Sequence, residues 1–137
     1  MPRMTLPFKI GDLWGGFGEA EGMLTFDGAV LLLEFRKADS VFGVIKSDFT
    51  KVSFPIGQIE SFAFRNRFLR RTLIVRISDL QAAARIPNAE AGEFRLRVAR
   101  RHVPAADEIV AAIKSAINDR KLNEVLAESA NHRAPNA

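Results

Sequence analysis

The chain contains no cysteine and no tyrosine. Without cysteine there is no disulfide, no thiol nucleophile and no Cys-ligated zinc or iron–sulfur site. Without tyrosine, eleven Phe and a single Trp carry the aromatic content. Phe can anchor a core but brings no hydroxyl to a reaction. Long apolar runs are also missing. No run exceeds five residues, and one such as AVLLL at 29–33 is far too short to span a bilayer. The first residues, MPRMTLPFKIGDLWGG, have no continuous apolar stretch of the signal-peptide kind. A cytoplasmic protein is expected.

Only two histidines occur, His102 and His132, far apart. Neither has companions at metal-ligand spacing, so no metal and no cofactor are expected. Glu19 and Glu21 share a strand face, but nothing in the sequence marks a substrate cleft around them. No nucleophile-elbow pattern is present. The Gly-rich segment 11–18 is followed by no Lys-Ser/Thr pair and opens no helix, which excludes a phosphate-binding loop of that type. Its Trp14 is expected to plug an edge or end of the fold.

What the chain does have is enough apolar content for one core. It has 137 residues, 47% hydrophobic and 26% charged, the size of one ordinary domain. Net charge is +4, unevenly spread. Residues 65–101 hold ten arginines against Asp79, Glu90 and Glu93, a local net of +7. Such an excess attracts phosphate-bearing partners or aids solubility.

Period-two alternation dominates. Strands are expected at 22–26, 30–37, 51–55, 59–65, 72–78, 80–86 and 93–99. The 38–50 segment is a candidate for one extra strand. Asp27-Gly28 suits a tight hairpin. Ile56-Gly57-Gln58 can turn the chain. From Pro104 the period becomes helical, and Ala106, Ile109, Val110, Ile113, Ala116 and Ile117 form one stripe. Leu122, Val125 and Leu126 read as its continuation, and 129–137 reads as a frayed tail. The expectation is a single domain over 1–137, with its core at about 19–127.

Seven strands followed by one amphipathic helix is an informative order. VSFPIGQIESFAF (52–64) resembles the strand, Pro, short turn, Ile-Glu-Ser, strand segment of bacterial pleckstrin-homology-like (PH-like) domains. TLIVRI (72–77) resembles the strand that follows it there. The resemblance implies a mainly β, PH-like barrel of about seven antiparallel strands in two sheets, capped by one C-terminal α-helix. It also implies a binding or assembly module rather than an enzyme. Phosphoinositide-binding relatives carry basic residues around the loop between strands one and two. In the expected strand order that loop is 25–29, which holds Asp27 and no base.

Two basic groups are candidate sites. RNRFLRR at 65–71 places Phe68 and Leu69 on a hairpin tip among Arg65, Arg67, Arg70 and Arg71. If the tip is exposed, it can enter the headgroup boundary of an anionic membrane. If the two apolar residues fold back, the arginines only stay wet. A secondary basic face comprises Arg76, Arg85, Arg95 and Arg97. Aromatics are not interleaved with it, which argues against nucleic acid. Protein–protein interaction or self-association, through a sheet edge or the helix, is the first expectation for function. Peripheral binding to anionic membrane, at the inner membrane, is the alternative. An enzyme or small-ligand carrier has least support.

Overall fold

A computed structural model describes residues 2–13, 16, 18–39 and 49–133. Among the described residues there are seven strands: β1 (Met4–Leu13), β2 (Gly18–Phe26), β3 (Val30–Asp39), β4 (Thr50–Pro55), β5 (Ile59–Arg67), β6 (Arg70–Ile77) and β7 (Glu93–Arg97). A short helix, α1 (Leu80–Ala83), separates β6 from β7, and a long one, α2 (Val103–Arg133), ends the described chain. The fold is therefore mainly β with one C-terminal helix, as the sequence implied.

Seven strands were expected and seven are found, but two differences cancel. β1 was not anticipated, although Leu6, Phe8 and Ile10 alternate inward along it and are all buried. The expected strand at 80–86 is instead α1 and a turn. Asp79 caps that helix, its Oδ1 accepting the Ala82 N–H at 3.1 Å. Ala83 and Ile86 turn inward at helical spacing, while Leu80 is exposed. The candidate strand within 38–50 and the placement of Trp14 lie outside the described residues.

All strands pair antiparallel in one sheet, ordered β4-β3-β2-β1-β7-β6-β5. The expected two sheets are thus two runs of one ladder, joined where Lys9 of β1 pairs with Arg97 of β7. The sheet does not close, and β4 and β5 are its ends. It does curl strongly. Phe54 of β4 and Phe94 of β7 stack with ring centroids 5.7 Å apart, although three strands lie between theirs in the sheet. Only a sheet bent over its own face can bring those rings together. The inner face and the first half of α2 share a single apolar core.

Two glycines are required by this path. At Gly28 the β2–β3 turn has φ +101°, a conformation glycine adopts without strain. Asp27 completes the turn, its Oδ1 accepting the N–H of Ala29 at 2.9 Å and of Val30 at 2.8 Å. Gly22 pairs with Phe35, and there β3 passes so close that an added Cβ would lie 1.9 Å from the Glu34 carbonyl oxygen.

Helix α2 starts one residue before Pro104 and runs through Arg133, beyond the point where the tail was expected to fray. Ala106, Ile109, Val110, Ile113 and Ile117 are buried, as the stripe required. Leu122, Val125 and Leu126 do not continue it. They are 57%, 59% and 57% exposed.

Candidate functional site: the arginine hairpin

Strands β5 and β6 form a hairpin in register, with Arg65 opposite Thr72, Asn66 opposite Arg71 and Arg67 opposite Arg70. Phe68 and Leu69 are the two residues of its turn. The third strand stops short of the tip. β7 pairs with β6 only as far as Thr72–Arg97, followed by one bond from the Val98 N–H to the Arg71 carbonyl. Only the last cross-strand pair, Arg67–Arg70, therefore projects without a backbone bond to the β7 side.

At the end of this projection Phe68 is 91% and Leu69 85% exposed. The fold-back alternative is not adopted. Two large apolar side chains stand in solvent on a narrow tip, and neither belongs to the core cluster. Such exposure on a folded chain commonly marks a binding surface when the patch is flanked by polar groups.

The arginines surround this tip. Cross-strand partners share a face of the sheet, so Arg65, Arg67, Arg70 and Thr72 lie together on the outer face. Register extends that face across β7 to Arg97 and then to Lys9 on β1. Lys9 was not among the sequence candidates because its strand was missed. Arg65, Arg67, Arg70, Arg95 and Arg97 line an open groove of about 710 Å³, with Glu90 and Glu93 at its walls. Glu93 is engaged by Arg76 at 3.2 Å and Arg95 at 3.8 Å. Among the described residues Arg65, Arg67, Arg70 and Arg97 make no salt bridge to a carboxylate, so the tip-side half of the groove keeps its positive charge.

Arg71 lies on the hairpin's other face. Its Nη1 donates to the Phe68 carbonyl at 3.4 Å, and its Nε is shielded from solvent with no hydrogen-bond partner among the described residues. Arg71 borders a second groove, of about 830 Å³, which runs between Leu69, Arg70 and Arg101 on one side and Glu19, Glu21 and Glu34 on the other. Glu21 is bonded to Arg36 at 3.8 Å and Glu34 to Lys51 at 4.0 Å. Glu21 and Glu34 are ladder partners of basic residues, as on an ordinary solvated sheet face, and Glu19 lies opposite Ala38.

Three residues of the secondary basic face, Arg76, Arg95 and Arg97, share the outer face of β6 and β7, and only Arg85 lies elsewhere. Arg76 and Arg95 share Glu93, and Arg97 belongs to the hairpin groove. Arg85 sits past α1 rather than on a strand, and its Nη2 donates to the Lys51 carbonyl of β4 at 3.3 Å. His102 lies half-buried in the turn before α2. No group of three or more His, Cys, Asp or Glu suited to a metal occurs among the described residues. No helix of the described chain is long and apolar enough to cross a membrane.

The missed β1 also relocates the loop between strands one and two. It is the connection around 14–17, Trp-Gly-Gly-Phe in sequence, and not 25–29. That connection holds no basic residue either, so the hairpin remains the main basic projection. Comparison with protein-family models, curated proteins and solved structures finds no match for the chain.

Proposed function

We propose that this chain is a non-catalytic binding module of the PH-like kind, and that it attaches to anionic membrane surfaces through the β5–β6 hairpin. The PH-like assignment is supported by four strands in one run, three in a second, and a helix at the C-terminal end. The attachment reading is carried by one observation, the exposure of Phe68 and Leu69 between arginines. An apolar tip inside a basic collar suits a lipid surface, where acyl chains lie beneath a layer of phosphate.

The magnitudes fit reversible binding. Each basic residue near an anionic leaflet contributes about 1 kcal/mol, so Arg65, Arg67, Arg70 and Arg71 together supply about 4 kcal/mol. Full insertion of Phe and Leu adds about 1.5–3 kcal/mol each. The cytoplasmic leaflet of the inner membrane is the surface this chemistry suits. Arg70→Glu/Arg71→Glu tests the reading by co-sedimentation with phosphatidylglycerol-containing vesicles. Wild-type binding should need the anionic lipid and weaken with salt, and the double variant should lose it. Binding indifferent to lipid charge would refute the proposal.

Protein association is the second reading. Strand addition at a sheet edge has little support. β4 is six residues long and ends in Pro55, and its Lys51 carbonyl is occupied by Arg85. β5, at the other end, packs against α2. What favours association is the exposed apolar group on α2.

A further inference from the structure

Helix α2 carries two apolar stripes on opposite sides. At about 3.6 residues per turn, the step from Ile113 to Leu122 is about two and a half turns, and so is the step from Ile117 to Leu126. The first members of these pairs are buried in the domain core, and the second members are exposed. Half a turn of phase reversal therefore separates the core stripe from Leu122 and Leu126, and Val125, about a third of a turn from Ile113, forms the edge of the second stripe. The second stripe cannot serve its own domain, because its side of the helix faces away from the sheet.

Charge says what can cover it. Lys121 and Glu128 are about two turns apart, so both flank the second stripe on the same side. Neither makes a salt bridge among the described residues, whereas Arg120 and Glu124, opposite the second stripe and in phase with Ile113, pair with each other at 3.2 Å. When two such helices pack antiparallel, each flank meets the same flank of the other copy. Lys121 of each copy then meets Glu128 of the other. The midpoint between Lys121 and Glu128 falls between Glu124 and Val125. The three apolar residues are centred at that same point. An arrangement whose charges and apolar side chains share one two-fold centre is complementary to itself.

We infer that the C-terminal half of α2 is a self-association surface, on which two copies of this chain pair as antiparallel helices through Leu122, Val125 and Leu126. The inference extends the protein-association reading and is independent of the hairpin. Three apolar side chains per copy fall short of the about 800 Å² per partner of a standard interface, so the dimer is concentration-dependent rather than permanent.

The test is sedimentation velocity on the full chain, from micromolar to millimolar concentration. Wild type should pass from monomer to dimer. Leu126→Ser should raise the dissociation constant at least about tenfold with an unchanged thermal midpoint at low concentration. Lys121→Glu and Glu128→Lys should each weaken the dimer, and the two combined should restore it. A monomer throughout would overturn the inference, whether or not the hairpin binds vesicles. So would a dimer that ignores Leu126→Ser, which would place the contact elsewhere. Failure of the charge swap to restore pairing would overturn the antiparallel arrangement.

Discussion

Truncating the hairpin tip separates binding from folding more cleanly than any other change. Phe68 and Leu69 are 91% and 85% exposed in the free chain and make no part of the core. Phe68→Ala/Leu69→Ala therefore removes almost no buried surface, and surface changes of that kind leave stability within about 0.5 kcal/mol. On a membrane the same side chains would be inserted. Their loss then removes at least about 3 kcal/mol, taking the low end of full burial for both. At about 1.4 kcal/mol per factor of ten, the partition coefficient on phosphatidylglycerol-containing vesicles should fall about a hundredfold. Vesicle co-sedimentation at fixed salt measures this, with a thermal melt run in parallel. The residual binding should stay as salt-sensitive as in wild type, because the arginine collar is intact. An unchanged partition coefficient would show that the tip does not insert. A clear drop in melting temperature would show that the side chains pack where the structure leaves them free.

Two predictions concern the scaffold that holds the hairpin. Gly22→Ala should prevent native folding or lower stability by about 3 kcal/mol or more, because its Cβ would meet the Glu34 carbonyl oxygen and the Phe35 backbone of an adjacent central strand; denaturant unfolding measures it, and a wild-type midpoint would contradict the close β2–β3 approach. The Asp27 carboxyl is held below its ordinary pKa, first by the Ala29 N–H and then by the Val30 N–H. A group depressed in the folded state stabilises above its unfolded pKa and loses that contribution as pH falls through its folded value. Asp27→Asn should accordingly melt below wild type at neutral pH, with the gap narrowing below about pH 4; a gap independent of pH would remove the carboxylate from the explanation.

Much of the fold was legible because the inner face is written in strict alternation. Leu31, Leu33 and Phe35, then Leu73, Val75 and Ile77, then Phe94 and Leu96 are all buried as their spacing demands. β1 carries the same pattern, but Pro7 and Gly11 interrupt it, and both discourage a strand assignment. Pro7 is tolerated because β1 meets β7 only at Lys9, so most of one side of the strand lacks a ladder partner. The 80–86 segment misleads for a different reason. Three consecutive alanines, Ala82, Ala83 and Ala84, fit either period, and the Asp79 cap with alanine's high helix propensity decides for a helix. Leu122, Val125 and Leu126 have helical spacing among themselves, yet the phase of Leu122 and Leu126 against Ile113 places those two on the far side. Spacing alone does not reveal that; an angle measured from the core stripe does.

The site was legible as composition and not as geometry. Arg65, Arg67, Arg70 and Arg71 stand out in sequence, but whether Phe68 and Leu69 fold back depends on where β7 ends. β7 stops at Arg97 and the last bond from its side reaches Arg71, so among the described residues no third strand covers the turn. Arg85 was grouped by charge with residues it does not approach, since α1 carries it to β4.

The absence of cysteine makes the decisive measurement direct, because a single cysteine placed at position 68 takes a spin label uniquely. With phosphatidylglycerol-containing vesicles, the account predicts that the label at Phe68→Cys becomes more accessible to oxygen than to a water-soluble nickel chelate. A control label at Ser61→Cys, on the same strand pair but remote from the tip, should stay in water. A tip label that remains equally open to the nickel chelate, while the protein co-sediments with the vesicles, would contradict attachment through the hairpin.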